Sequence, residues 1–264
     1  MAQDIHPTAV ISPSAYLADH VTVGPYCVVG DDVQIGEGTV LEAHVVIERW
    51  VRIGRNCHIW PGAALGGPPQ DHKYRGEKSL LIIGDNNTIR EYVTLHRAVG
   101  EGEATRVGND NMIMAYVHIG HNCEIGSGNT ISSYVGLSGH VTVEDNTVMG
   151  GMVGVHQFCR IGRLSMIGGV SKVNQDIPPF MISDGVPARV LDLNRIGLRR
   201  NGVPPQIRSA LRQAYKLLYR SNLNVTQAIE RIQEELDRSE EMDYLVAFIR
   251  GMQAGFSGRG NDAR

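Results

Sequence analysis

The 264-residue sequence predicts a β-solenoid followed by a small α-helical domain, and three observations support this fold class. An apolar residue recurs every six positions, a small or β-branched residue stands four positions after most of these anchors, and glycine often follows them directly. A period of six matches neither an α-helix nor simple strand alternation. It therefore indicates short strands joined by tight corners, with the anchors stacked in one apolar column.

The anchors run in register from Ile5 to Leu65 and from Val107 to Val173, with Ile83, Ile89 and Leu95 between these two series. The glycines that follow them are expected at corners where a Cβ atom is unwelcome. All of the cysteines fall in the column of small residues, so we expect buried free thiols rather than disulfides or metal ligands. They are Cys27, Cys57, Cys123 and Cys159.

Two excursions interrupt the repeat, at about 66–82 and 98–106, where the register would otherwise turn Asp71, Glu77 and Glu101 inward. Loops on a rigid scaffold commonly carry function, and the alternative is a tolerated surface insertion. The periodicity ends near residue 174. We therefore predict a solenoid domain over 1–190 with two loop excursions, and a helical domain over 191–264.

The helical domain is predicted from capping signals and apolar spacing. Pro204 and Pro205 open an amphipathic segment, and Asn224 with Gln227 forms a capping-box pattern that begins a helix over 225–236. A third helix is expected at about 240–252. The segment 195–220 contains seven basic residues and no acidic residue. This pattern is typical either of a solvated surface or of a docking site for an anionic partner or nucleotide phosphate.

Overall charge and hydropathy exclude several classes of protein. The net charge of −3 argues against a general nucleic-acid binder. No apolar stretch approaches the roughly 20 residues needed to span a bilayer, and the N-terminus lacks the pattern of a secretory signal. We expect a cytoplasmic protein with no membrane insertion and no nucleic-acid partner.

The repeat resembles that of the hexapeptide-repeat proteins, in which three hexads form one 18-residue turn of a left-handed parallel β-helix. The resemblance covers residues 5 to about 175, and it supplies the left hand, since general rules favour right-handed crossovers. In such a coil, residues 18 apart are vertical neighbours at roughly 4.8 Å. His121 would lie beneath Gly139 and Gly139 beneath Gln157, with the column Asn122, His140 and Phe158 beside them.

This stack favours acyl-transfer chemistry. The imidazole of His121 could take a proton from a hydroxyl as a general base. Asn122 could orient that imidazole, and the backbone N–H of Gly139 could approach a developing oxyanion without steric obstruction.

Metal binding is the competing interpretation, because hexapeptide proteins of the γ-carbonic-anhydrase type hold zinc on three histidines between subunits. Their two close histidines are five residues apart, whereas His118 and His121 are three apart, and the cysteines are expected to point inward. We therefore predict no metal and no other cofactor.

Seven stretches extend the resemblance over nearly the whole chain to the family of acyl-ACP:UDP-N-acetylglucosamine O-acyltransferases, where ACP is acyl carrier protein. This family begins lipid A synthesis. The stretches are Ile5–Val10, Gln70–Tyr74, Thr94–Arg97, His118–Cys123, Leu137–Val141, Gly150–Cys159 and Ala214–Ser221.

The family resemblance implies roles for particular residues. His121 matches the general base, Gly139 matches the glycine whose amide forms the oxyanion hole, and Asn122 stands where some members have aspartate. Asn194, Arg199 and Arg200 match or neighbour nucleotide-contacting positions, although Ile196 and Asn201 depart from the residues that some members use there. The remaining implied substrate contacts are Gln70, Asp71, Lys73, His96, His118, His140, His156 and Gln157.

The resemblance also implies a mechanism without a covalent enzyme intermediate, and a homotrimer with active sites between neighbouring solenoids. Acyl-chain length would be set at Gly169, with Met166 nearby, and glycine there predicts a chain of C12 to C14 or longer over C10. The alternatives are another hexapeptide acyltransferase or acetyltransferase, the N-acyltransferase of later lipid A steps, a metal-dependent hydratase and a non-catalytic scaffold.

Overall fold

The computed structural model describes residues 4–255, which form short strands followed by four helices. The helices are α1 (Arg195–Arg200), α2 (Pro205–Tyr219), α3 (Val225–Glu235) and α4 (Glu240–Ala254). The strands are β1 (Asp4–Ile5), β2 (Val10–Ile11), β3 (Tyr16–Leu17), β4 (Thr22–Val23), β5 (Val28–Val29), β6 (Gln34–Ile35), β7 (Val40–Leu41), β8 (Val46–Ile47), β9 (Val51–Ile53), β10 (His58–Ile59), β11 (Ala64–Gly67), β12 (Leu80–Ile83), β13 (Thr88–Ile89), β14 (Thr94–His96), β15 (Ala104–Val107), β16 (Met112–Ile113), β17 (His118–Ile119), β18 (Glu124–Ile125), β19 (Thr130–Ile131), β20 (Gly136–Leu137), β21 (Thr142–Val143), β22 (Val148–Met149), β23 (Gly154–Val155), β24 (Arg160–Ile161), β25 (Met166–Ile167), β26 (Lys172–Val173), β27 (Met181–Gly185) and β28 (Ala188–Leu193).

Every third strand joins the same sheet, so the chain winds round three parallel sheets as a triangular coil. Val28 pairs with Val46, 18 positions on, which is the repeat of the regular turns. His58 pairs with Thr88 and Thr88 with Met112, 30 and 24 positions on, so the two excursions add 12 and 6 residues without breaking the register. The predicted solenoid is confirmed.

The anchor residues fill the interior of the coil, where most of them are fully buried in one continuous core. The predicted buried thiols are also confirmed, because all four cysteines lie in the core and none of them forms a disulfide. The glycines after the anchors are required by the close approach of adjacent turns: a Cβ on Gly24 would lie 2.9 Å from the backbone carbon of Glu42. Side chains such as His140 take the positive φ of the corners instead.

A β-hairpin closes the C-terminal end of the coil. Strand β27 pairs in parallel with β25 and antiparallel with β28, so the predicted boundary at residue 190 lies inside β28. The helices pack a second apolar core around Phe180 and Leu198. The buried carboxylate of Asp176 pairs with Arg160 at 2.9 Å, and Arg160 stacks on Phe248, which joins the coil to α4.

The predicted helices over 225–236 and 240–252 correspond to α3 and α4. The capping box is present: the Asn224 side chain accepts from the backbone of Gln227, whose side chain accepts from the backbone N–H of Asn224. The last nine residues of the predicted helical domain lie outside the described residues. Among the described helices, none combines the length and apolarity needed to cross a bilayer.

Candidate active site

A cleft of about 500 Å³ runs along one sheet of the coil, at the ends of β14, β17, β20, β23 and β26. Each turn of the coil adds one residue to each vertical column, so polar side chains and glycines stack in the same column, as in His118, Gly136, Gly154 and Lys172. The cleft is lined by Gln70, His96, His118, Gly120, His121, Gly136, Leu137, Ser138, Gly139, Gly154, Val155, His156, Gln157, Lys172 and Val173.

His121 occupies the corner that follows β17, and the predicted stacking above it is confirmed. The backbone carbonyl of His121 accepts from His140, one turn on, and the carbonyl of Gly139 accepts from Phe158. A Cβ atom placed on Gly139 would lie 2.5 Å from Nε2 of His121. The imidazole edge therefore faces the Gly139 backbone directly.

Asn122 determines which nitrogen of His121 carries the proton. Its side chain accepts from the backbone N–H of Val99 at 2.9 Å and donates to the carbonyl of Val99 at 3.1 Å, which fixes the amide orientation. The same Oδ1 lies 2.9 Å from Nδ1 of His121, so Nδ1 must be the donor. Nε2 is left with its lone pair directed into the cleft.

Gly139 places an unused donor beside that lone pair. Within residues 4–255, its backbone N–H donates to no protein acceptor, whereas the neighbouring amides donate to adjacent turns, Ser138 to Val155 and His140 to His121. Its α-carbon carries no side chain to cover the amide. An oxyanion forming next to Nε2 of His121 could therefore be stabilised by this N–H.

Asp71 reaches the site from the longer excursion. The backbone N–H of Lys73 donates to Oδ1 of Asp71 at 2.8 Å, and Oδ2 lies 3.7 Å from Nε2 of His121. The Lys73 N–H, chiefly, and the nearby His121 lower the pKa of Asp71, so its carboxylate is ionised at neutral pH. It supplies an acceptor and a negative charge at the entrance of the cleft.

Three further histidines surround His121. Burial, chiefly, together with His96 and His121 lowers the pKa of His118, whose Nδ1 is 2.8 Å from Oγ1 of Thr94. Burial and the neighbouring His121 also lower the pKa of His140. Since an imidazole with a lowered pKa is neutral at pH 7, His118 and His140 act there as uncharged hydrogen-bonding groups.

The structure brings part of the sequence-predicted set into the lining of the cleft and places the others beside it or elsewhere. The predicted residues that line it are Gln70, His96, His118, His121, Gly139, His156 and Gln157. Lys73 is exposed on the excursion, and His140 flanks the cleft against His121. Met166 lies on a strand of another sheet, and Gly169 lies at the corner that follows it.

Three predicted nucleotide contacts lie outside the cleft of their own chain. Asn194 is buried, and its side chain caps α1 by accepting from Gly197 and donating to the carbonyl of Leu164. Arg199 and Arg200 are exposed in the last turn of α1.

Sequence reasoning missed Lys172, which also lines the cleft. Lys172 could have been found from the repeat, since it stands above Gly154 and Gly136 in one column. Among the described residues, no group of three or more His, Cys, Asp or Glu side chains is arranged to hold a metal ion.

The repeat coil, the histidine-lined cleft and the free glycine amide define a hexapeptide-repeat acyltransferase. Family models agree: one for bacterial transferase hexapeptide repeats matches residues 32–67 and 104–139, and one for UDP N-acetylglucosamine O-acyltransferase, domain 2, matches 176–260. The chain is 47% identical over 253 residues, 96% of its length and 98% of its relative's, to an acyl-ACP–UDP-N-acetylglucosamine O-acyltransferase of Thermodesulfovibrio yellowstonii. The chain belongs to this family of acyltransferases.

Solved structures support the same assignment. The coordinates match a UDP-N-acetylglucosamine acyltransferase from Bacteroides fragilis with a TM-score of 0.90 and 38% identity, covering 93% of this chain and 96% of that one. The enzyme from Acinetobacter baumannii matches with a TM-score of 0.89 and 41% identity, over 93% and 96%. The fold is the left-handed parallel β-helix that the resemblance to hexapeptide-repeat proteins implies.

Proposed function

We propose that this protein transfers an (R)-3-hydroxyacyl chain from ACP to the 3-hydroxyl of UDP-N-acetylglucosamine, the first step of lipid A biosynthesis. The observation that carries the proposal is the position of Nε2 of His121 beside the free backbone N–H of Gly139, while Nδ1 of the same ring contacts the Asn122 side chain. These are the two groups that a direct attack of a hydroxyl on a thioester needs.

In the proposed reaction, Nε2 of His121 takes the proton of the sugar 3-hydroxyl as that oxygen attacks the thioester carbonyl. The carbonyl oxygen becomes an oxyanion and accepts a hydrogen bond from the Gly139 N–H. When the tetrahedral intermediate collapses, the carbon–sulfur bond breaks and the sulfur leaves with the proton from His121. Free ACP thiol and the O-acylated sugar nucleotide are the products, and no cofactor is required.

Substrate contacts follow from the lining of the cleft. Gln70, Asp71 and His118 surround the position of the sugar, while His156 and Gln157 both lie two turns beyond His121, towards the acyl chain. The acyl chain would continue past Gly169, and Met166 would lie near its end. With no side chain at 169 to close the groove, we propose a chain of C12 to C14 or longer.

We also propose that the protein works as a cytoplasmic homotrimer with its sites between subunits. One corner of the coil carries a column of exposed apolar side chains that suits contact with another copy. Asn194, Arg199 and Arg200 would act on the nucleotide bound in the cleft of a neighbouring chain. The column contains Tyr92, Tyr116, Tyr134, Met152 and Val170, of which the three tyrosines stack at 5.2 and 4.9 Å between ring centroids.

The test is an acyl-transfer assay with UDP-N-acetylglucosamine and (R)-3-hydroxyacyl-ACP. Loss of the general base should lower kcat in His121→Ala by roughly 100- to 10,000-fold, and a chelator should leave the wild-type rate unchanged. Near wild-type activity in His121→Ala would contradict the proposed role, and loss of activity on chelation would favour the metal-dependent alternative. Acyl donors of C10, C12, C14 and C16 in the same assay test the chain length, and a preference for C10 would contradict the proposed length.

A further inference from the structure

Arg97 is buried without an anionic partner, which is unusual for a permanently charged side chain. Only 3% of its surface is exposed, and no carboxylate of the described residues pairs with it. Its Nε and Nη1 atoms are buried and have no hydrogen-bond partner within residues 4–255. A buried cation in this state is costly, so it calls for a compensating interaction.

That interaction comes from two aromatic rings. The guanidinium carbon lies 4.7 Å from the ring centroid of Trp50 and 5.9 Å from that of Tyr74, and Nη2 donates to the Tyr74 hydroxyl at 3.3 Å. Trp50 belongs to a corner of the rigid coil between β8 and β9, whereas Tyr74 belongs to the excursion over 68–79. Arg97 therefore connects the excursion to the coil through cation–π contacts.

The excursion is otherwise lightly held near its tip. One end is fixed by the backbone N–H of Arg97, which donates to Gly67, and by His96, whose Nδ1 lies 2.6 Å from the carbonyl oxygen of Pro68. The other end is held by the second excursion, where the N–H of Gly100 donates to Glu77 and that of Gly102 donates to the carbonyl of Lys78. Tyr74 is half-buried, but the residues on either side of it are exposed. Between these two ends, the contact between Tyr74 and Arg97 joins the segment to the coil.

Tyr74 and Asp71 belong to one turn. The backbone N–H of Tyr74 donates to the carbonyl of Asp71 at 3.1 Å, and the side chain of Asp71 accepts from Lys73. Fixing Tyr74 thus fixes the carboxylate that lies 3.7 Å from His121. We propose that Arg97 is a positioning residue, which holds the Asp71 turn over the cleft by clamping Tyr74 against Trp50.

This inference rests on the proposed acyl transfer, because Asp71 contributes through the sugar substrate. Removing the Tyr74 ring should lower kcat/KM for UDP-N-acetylglucosamine by about tenfold or more, and leave KM for acyl-ACP unchanged. Tyr74→Phe keeps the ring and should retain most of the activity, while Arg97→Met removes the charge at similar length and should behave like Tyr74→Ala. Arg49→Met is the matched control, since Arg49 lies 5.4 Å from the same Trp50 ring but is exposed.

The decisive experiment is a double-mutant cycle of Tyr74→Ala with Asp71→Asn, measured as kcat/KM for the sugar nucleotide. If the clamp acts through Asp71, Tyr74→Ala has little further effect once Asp71 is replaced. Full additivity, or wild-type kinetics in both Tyr74→Ala and Arg97→Met, would overturn the proposal.

Limited proteolysis separates failure of the clamp from failure of the proposed function, since it requires no activity. Trypsin should cut the Tyr74→Ala and Arg97→Met proteins faster than the wild type within the excursion, where Lys73, Arg75 and Lys78 are exposed. Unchanged cleavage at these sites would contradict the clamp. A wild-type protein that transfers no acyl chain but shows the cleavage difference would refute only the proposed function.

Discussion

The two sides of the cleft are built differently. His121 and Gly139 belong to successive turns of the coil, where the register of paired strands and the buried anchors hold each backbone position. Asp71 comes from an excursion that contributes few buried residues and depends on particular side-chain contacts. The comparison indicates that the reacting groups are held by the scaffold, while a more easily disturbed segment orients the substrate.

The largest effect should come from filling the space between the two scaffold groups. A methyl group at 139 would lie 2.5 Å from Nε2 of His121, where the substrate hydroxyl must approach. We expect Gly139→Ala to lower kcat by roughly 100- to 1,000-fold, comparable to loss of an oxyanion donor, with a melting temperature close to that of the wild type. Steady-state rates and thermal unfolding would check this. Wild-type kcat would exclude Gly139 from the reacting site.

A smaller effect is expected where the coil meets the shorter excursion. Asn122→Leu removes the acceptor of the His121 Nδ1 proton and both contacts to Val99, so we expect kcat to fall by roughly 10- to 100-fold. Asn122→Asp keeps an acceptor for His121 and should lose less. Equal rates in Asn122→Leu and the wild type would mean that tautomer control by this amide is unimportant.

The excursion itself should be more tolerant than the coil. Asp71→Asn keeps the shape of the turn and the acceptor for Lys73 but removes the charge near His121. We expect a change of about tenfold in KM for UDP-N-acetylglucosamine, and a smaller change in kcat. A kcat loss as large as that of Gly139→Ala would show that the excursion belongs to the reacting machinery and would contradict the contrast between the two sides.

The smallest effect concerns stability against pH. The pKa values of His118 and His140 are lowered in the folded protein, mainly by burial, so below the ordinary pKa of 6.5 the unfolded chain binds more protons than the folded one. Stability should therefore fall as the pH drops through 6.5 towards the lowered values. Chemical unfolding at pH 7.5 and 5.5 should show a smaller pH dependence in His118→Gln than in the wild type. An unchanged dependence would contradict the direction of the His118 shift.

The repeat made much of this arrangement predictable. Once residues 18 apart are vertical neighbours, the positions of His121, Gly139 and Gln157 follow from counting, and so would that of Lys172. The capping box of α3 was predictable for a similar reason, because it is a local pattern of hydrogen bonds.

Contacts that join distant segments were not predictable from the repeat. The approach of Arg97 to Trp50 and Tyr74 depends on how a non-periodic excursion folds back on the coil. The family resemblance predicts that Asn194 contacts the nucleotide. Its capping role in α1, in contrast, depends on the hairpin that precedes it. The nucleotide contact remains a prediction, to be tested together with the proposed trimer.

The central claim is that His121 presents an unprotonated Nε2 to the substrate because Asn122 holds the proton on Nδ1. Nitrogen NMR of protein labelled with ¹⁵N-histidine shows directly which ring nitrogen of a neutral imidazole carries the proton. The His121 signals are assigned by comparison with His121→Gln. The account predicts the Nδ1–H tautomer for His121 in the wild type and a mixture of tautomers in Asn122→Leu. An Nε2–H tautomer in the wild type would contradict it.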